Sequence, residues 1–198
     1  MKKIPTLFVR EFENHRVVKV LPEVTPGFEW VLEGEGTPTV KIDGACCAII
    51  DGKFYKRYDA KKDKRGYIKF PPVGAIPCSE PDPVTGHWPH WVLVDENVPA
   101  DKWFIAARNN MIRPLADGTY EAIGRHFNGN PYGIEEDVLV HHGEQVIENL
   151  GRSFESIREY LHDNLIEGIV FWKDGEPQCK IKRSDFGFEW PIKNRGAV

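Results

Sequence analysis

The sequence predicts an α+β fold in which antiparallel strands dominate. Two stretches read as β-hairpins closed by Asp-Gly turns, and only two others carry a helical period. The first hairpin runs from the small, apolar, β-prone segment Ala45 to Ile50 through Asp51-Gly52 and returns over Lys53 to Tyr58. The second runs from Glu167 to Trp172 through Asp174-Gly175 and returns over Gln178 to Arg183.

Ahead of the first hairpin, Thr6 to Arg10 and Arg16 to Val20 read as short strands, and Phe28 to Leu32 as a helical turn or a strand. Residues 61–98 are expected to form an irregular insertion, because Pro and Gly crowd the stretch from Tyr67 to Trp91 and no period lasts. Pro99 to Met111 is a helix candidate, with Trp103, Ala106, Ala107 and Asn110 at helical spacing. Thr119 to Ile123, after the turn Asp117-Gly118, and Val138 to His142 follow as strands. Ser153 is placed to cap a helix whose stripe is Phe154, Ile157, Leu161 and Leu165, ending near Asn164.

At 198 residues and 41% apolar, the chain can bury a substantial core, and 1–198 reads as a single domain. No apolar run reaches the length of a membrane span, and Met-Lys-Lys is followed by Ile-Pro-Thr rather than by a signal-peptide core. A soluble, cytoplasmic protein without membrane association or an obligate protein partner is therefore expected. Cys46, Cys47, Cys78 and Cys179 form no Cys-x-x-Cys, so neither a zinc site nor a disulfide framework is indicated. A net charge of −4 argues against bulk coating of nucleic acid. Between Lys53 and Lys69, however, eight Lys or Arg stand against two Asp, which suits a solvated loop or a phosphate-backbone contact.

The chemistry centres on Lys41-Ile42-Asp43-Gly44. A lysine two residues before Asp-Gly is one way to present a nucleophilic amine to a nucleotide α-phosphate. In the second hairpin, Lys180 and Lys182 lie two apart on a strand, so both ammonium groups leave one face while Ile181 takes the other. Glu167 stands at the mouth of the preceding strand, where a carboxylate opposite two lysines can hold a divalent cation against phosphate oxygens.

These residues resemble the covalent nucleotidyltransferase superfamily of ATP-dependent ligases and capping enzymes. Lys41-x-Asp43-Gly44 is similar to its motif I and Arg57 to the motif Ia arginine. Glu121, in Tyr120-Glu121-Ala122-Ile123-Gly124, is similar to motif III, Glu167-Gly168-Ile169-Val170 to motif IV, and Lys180-Ile181-Lys182 to motif V. A narrower resemblance is to the small 5′-to-3′ RNA ligases that lack an appended domain. It rests on Lys41 to Cys47, Gly124 to Gly133 and Val140 to Gly143. Cys46 stands where DNA ligases usually carry arginine, and the chain ends about fifteen residues after motif V. The resemblance implies an antiparallel-sheet nucleotidyltransferase domain, an ATP-grasp-like ligase adenylylation fold, without an appended OB-fold.

It also implies a function: an ATP-dependent RNA ligase that joins 5′-phosphate and 3′-hydroxyl RNA ends through a lysyl-AMP, with ATP and Mg2+ as cofactors. Lys41, Lys180 and Lys182 would be the catalytic residues, with Lys41 partly buried near other cations so that its amine is freed. Asp43, Gly44, Arg57, Glu121 and Glu167 would join the lysines in binding the nucleotide, and Glu167 and Glu121 would serve the metal. Phe127, Tyr132 and His142 are the candidates for a ring stacked on adenine. His87 with His90 and His141 with His142 lack a third metal ligand at suitable spacing, Glu33 and Glu35 suit solvated acids, and Trp88, Trp91 and Trp103 suit a core. A capping-type guanylyltransferase, or an inactive module that binds a nucleotide or an RNA end, are the alternatives.

Overall fold

The computed structural model describes residues 3–13, 16–61, 66–67 and 69–191. In chain order the strands are β1 (Phe8–Glu13), β2 (Arg16–Val24), β3 (Thr37–Lys41), β4 (Ala45–Ile50), β5 (Lys53–Ala60), β6 (Ile76–Pro77), β7 (Trp88–Leu93), β8 (Gly118–Ile123), β9 (Val138–His141), β10 (Gly168–Lys173) and β11 (Glu176–Lys182). The helices are α1 (Glu29–Leu32), α2 (Lys102–Asn109) and α3 (Phe154–Asp163). Every pairing between these strands is antiparallel, so the expected α+β class holds. Both hairpins occur, with the return strand of the first running on to Ala60 and the second spanning Gly168–Lys173 and Glu176–Lys182. Asp51 and Gly52, and again Asp174 and Gly175, take positive φ at both central positions, the turn whose twist matches the flanking strands.

The chain divides into two compact units. The first spans Asp43–His142 and is built on a six-stranded sheet in the order β6-β7-β5-β4-β8-β9. Cys47, Ile49, Phe54, Tyr120, Ala122 and Leu139 bury one face against Ala107 of α2 and Phe127. On α2, Ala107 lies in this cluster and Trp103 packs against it, as the helical spacing predicted, and Phe104, outside that pattern, packs there too. A short 3-10 turn, Pro99–Asp101, leads into the helix, and buried Asp101 accepts the Lys56 ammonium from β5 and the Asp95 amide.

The expected irregular insertion needs correction, because it contains β6 and β7, and β7 pairs along its whole length with β5. Its consecutive residues Pro89, His90 and Trp91 are all buried, so the centre of Trp88–Leu93 shows no polar-apolar alternation, and Pro89 reads as a breaker. Its carbonyl nonetheless accepts the Cys78 amide at 2.9 Å, and no N–H is needed there. Part of the basic stretch lies outside the described residues (62–65 and 68). Within the described part, Lys56 and Arg57 are paired with Asp101 and Asp59, while Lys53, Lys61 and Lys69 are exposed.

The second unit comprises Ile4–Ile42 and the chain from Gly143 on. It carries the three-stranded sheet β11-β10-β3 and the ribbon β1-β2. Its core joins Leu7, Phe8, Val31, Ile157, Leu161, Ile169, Phe171 and Ile181, all fully buried. Ser153 caps α3 by accepting the Ser156 amide at 3.0 Å, while Leu165 lies beyond the helix end and is exposed. At the other end of α3, buried Arg183 donates to the carbonyls of Leu161, His162 and Asn164, a cation on the carbonyls that a helix terminus leaves open. Among the described residues, no helix is long and apolar enough to cross a membrane.

Candidate functional site

The division between the units falls between Ile42 and Asp43, so the candidate residues separate into two sets. In the second unit, Gly168 opens β10 as the cross-strand partner of both Lys41, at the end of β3, and Lys182, at the end of β11. Directly opposed residues share a face of a sheet. Lys41 and Lys182 therefore project from the same side, with no side chain between them. Glu167, one residue before Gly168 and 5% exposed, answers both: Oε2 accepts Lys41 Nζ at 2.5 Å and Oε1 accepts Lys182 Nζ at 2.5 Å. Behind the strands, Ile169 and Ile181 are wholly buried and fix the row.

Lys180 lies two residues earlier on β11, paired with Val170. Burial, with the charges of Lys41 and Lys182 next, pushes its ammonium down to about 8, and Glu167 opposes this only in part. The backbone holds it firmly: Lys180 N donates to Pro5 O at 3.0 Å and its carbonyl accepts Leu7 N at 2.7 Å. Of the residues expected to act together, Lys41, Glu167, Lys180 and Lys182 are brought together within this unit.

The first unit gathers Asp43, Gly44, Glu121 and His142. Glu121 faces Cys46 across the β4-β8 pairing. Its Oε1 accepts the Gly44 amide at 3.2 Å and its Oε2 lies 2.9 Å from His142 Nε2, while His142 Nδ1 lies 3.0 Å from Thr119 Oγ1. Gly44 is obligatory at this point, because a Cβ there would meet the Ala122 carbonyl and come within 2.9 Å of the Glu121 side chain. Burial, then the Glu121 charge, pushes the Cys46 thiol up to about 12, leaving it an inert small side chain.

The segment from Gly124 to Gly133 has a role that its sequence did not disclose. Asn128 Nδ2 donates to Asp43 Oδ1 at 2.9 Å and to the Gly44 carbonyl at 2.6 Å, and the Tyr132 hydroxyl accepts the Asp43 amide at 2.7 Å. Asn128 takes a positive φ of 44°, which asparagine tolerates better than most residues. Phe127 differs from its expected role: at 5% exposure it is a core residue, edge-on to Phe104. Arg57 is directed by Asp59, which accepts its Nε at 2.8 Å, while His87 Nε2 lies 3.3 Å from the same oxygen. Burial pulls Arg57 down, but the hydrogen bond and charge of Asp59 outweigh it and hold the guanidinium above its ordinary value.

The secondary candidates find structural places. Glu35 pairs with Lys173, Trp91 is buried, Trp88 donates to the Ser79 carbonyl, and Trp103 stacks on His126 with ring centroids 3.3 Å apart. Among the described residues, no group of three or more His, Cys, Asp or Glu is placed to hold a metal ion. Within its unit Glu167 is a single carboxylate between ammonium groups, a donor set that fits Mg2+ only where phosphate oxygens and water complete the octahedron.

Comparison with known proteins finds similarity to RNA ligases. A family model described as RNA ligase 1 matches residues 107–197. RNA ligase 1 of Pongo abelii is 25% identical over 96% of this chain and 82% of its own length. RNA ligase 1 of Rattus norvegicus is 26% identical over the same shares, and that of Danio rerio is 31% identical over 54% of this chain and 43% of its own. Along nearly its whole length, then, the chain is similar to proteins named RNA ligase 1.

Proposed function

We propose that this chain is an ATP-dependent RNA ligase in which Lys41 carries AMP between ATP and an RNA 5′-phosphate. The observation that carries the reading is the Glu167 carboxylate held between Lys41 and Lys182, with Lys180 beside them. An isolated lysine is protonated at neutral pH and cannot attack. Here the carboxylate in contact with Nζ is the acceptor for the proton that the amine must lose.

The freed amine attacks the α-phosphorus. A P–N bond forms, the bond from α-phosphorus to the bridging oxygen breaks, and pyrophosphate departs with the electron pair. Lys180 and Lys182 stabilise the negative charge on the phosphoryl oxygens. Bound Mg2+, held chiefly by phosphate oxygens and water near Glu167, would add Lewis-acid neutralisation of the same charge. An oxygen of the RNA 5′-phosphate then attacks the phosphorus of lysyl-AMP, breaking the P–N bond and returning a proton to Nζ. Finally a 3′-hydroxyl attacks the activated 5′-phosphate, forming the phosphodiester and expelling AMP.

In the first unit, the Glu121 and Asp43 carboxylates suit hydroxyl groups of a ribose, and His142, held by Glu121 and Thr119, is the candidate ring for the base. Tyr132 serves the Asp43 amide through its hydroxyl, and Phe127 serves the core.

Incubation with α-labelled ATP and Mg2+ is the test. The protein should take up one acid-labile, alkali-stable label, Lys41→Ala should take up none, and α-labelled GTP should not substitute. Labelled protein should then seal a nicked RNA without further ATP. A folded, initially unadenylylated protein that takes no label would remove the ligase reading.

A further inference from the structure

Beside these lysines lies a cation that belongs to none of the motifs. Arg10, on β1, donates from Nη2 to Asp185 Oδ1 at 2.7 Å, and the other oxygen of that buried carboxylate accepts the Lys182 amide at 2.9 Å. Lys182 is therefore tied to Lys41 through Glu167 on its side chain and to Arg10 through Asp185 on its backbone. The charge of Arg10 also reaches Lys180 and helps lower its basicity.

Two features of Arg10 are unexplained by structure alone. Its Nε is buried without a hydrogen-bond partner among the described residues, although a buried guanidinium N–H is costly to leave unmade. Its side chain is nevertheless 26% exposed, so part of the fork is open to solvent. Moreover, four cations, Lys41, Lys180, Lys182 and Arg10, surround two carboxylates, Glu167 and Asp185. The surplus calls for an anion. Lys180 and Lys182 alone are about 7 Å apart along their strand, and the Arg10 charge acts on Lys180 as well, so the set suits a chain of phosphates better than a single one.

We propose that Arg10 binds the β- and γ-phosphates of ATP and steadies pyrophosphate as it leaves, with Asp185 as the positioning residue that aims the guanidinium. The proposal rests on the lysyl-AMP reading. It adds to it a binding residue for the leaving group, distinct from those that touch the α-phosphate. Arginine suits the task because its planar fork engages several phosphate oxygens and its charge persists at any pH the fold survives.

Three measurements on Arg10→Gln, Arg10→Lys and Asp185→Asn test it: the ATP concentration for half-maximal self-adenylylation, the pyrophosphate concentration for half-maximal release of label from adenylylated protein, and sealing of chemically pre-adenylylated RNA, which needs neither ATP nor pyrophosphate. Arg10→Gln should raise both half-saturating concentrations at least tenfold and change sealing of pre-adenylylated RNA less than twofold. Arg10→Lys and Asp185→Asn should fall between it and the unaltered protein. Unchanged pyrophosphate dependence would overturn the proposal, as would an equal loss on pre-adenylylated RNA, which would assign Arg10 to an RNA phosphate or to the fold. An unaltered protein that takes no label would instead overturn the ligase reading beneath it.

Discussion

The Glu167 carboxylate accepts the Lys41 ammonium at 2.5 Å, joining residues 126 positions apart in sequence. Replacing Glu167 by Gln keeps the shape but removes the proposed proton acceptor and the charge shared with Lys182. Self-adenylylation should fall by about 10²- to 10⁴-fold, the range of a lost general base, with circular dichroism unchanged. A Glu167→Gln protein that labels at the original rate would deny the carboxylate that role.

Lys180 supplies a pH signature. Its folded pKa of about 8 lies below its ordinary 10.5, so between these values the folded chain holds fewer protons than the unfolded chain. Stability contributed by this group therefore rises with pH across that window, and below about 8 the full penalty of the buried charge is present. The urea midpoint should climb from pH 8 towards 10.5 more steeply in the unaltered protein than in Lys180→Met. If the charge also holds phosphate, half-saturation by ATP should worsen above pH 8 but stay level in Lys180→Arg.

Asn128 and Tyr132 hold the Asp43-Gly44 backbone and the Asp43 carboxylate by three hydrogen bonds. Each is worth about 1 kcal/mol, so Asn128→Ala should cost roughly 2 kcal/mol of stability and Tyr132→Phe about half that. Both should raise the half-saturating ATP concentration more than they lower the maximal labelling rate. Chemical denaturation alongside a labelling titration separates the two effects.

Asp101 is wholly buried and accepts the Lys56 ammonium. Asp101→Ala leaves that cation and the Asp95 amide without their acceptor, and breaking such a pair costs about 3–5 kcal/mol. Since Lys56 keeps some exposure, the lower end is expected, read as a shift in urea midpoint.

The thiols offer a simple check on the sheet. Burial, followed by the Glu121 charge, raises Cys46 to about 12, and burial raises Cys179 to about 12. Both should resist alkylation at pH 8 in the native protein and react at once in urea, as peptide mapping of the modified chain would show.

How much of this was legible depended on whether the deciding interactions were local. The hairpins were legible because an Asp-Gly pair carries its turn with it, and α3 because Ser153 and the stripe Ile157–Leu161 lie within one helix. Strand β7 was not, since burial of its consecutive central residues erases the alternation that marks a strand and Pro89 mimics a loop. Phe127 looked like a free aromatic ring, and only its packing against Phe104 gives it to the core. Arg10 gave no sign at all, because its partner Asp185 is 175 positions away.

The sequence by itself determined the α+β class, the order of the motifs from Lys41 to Lys182, and the chemical kinds of residue that the proposed reaction would use. These follow from short-range rules of turn, period and spacing, and from resemblance carried by contiguous residues. Tertiary structure alone decided that Gly168 pairs with both Lys41 and Lys182, so that one carboxylate spans them, and that Asp185 ties Arg10 to the same lysine. Register between distant strands depends on which faces can be buried together, and that is a property of the packed chain rather than of any segment in it.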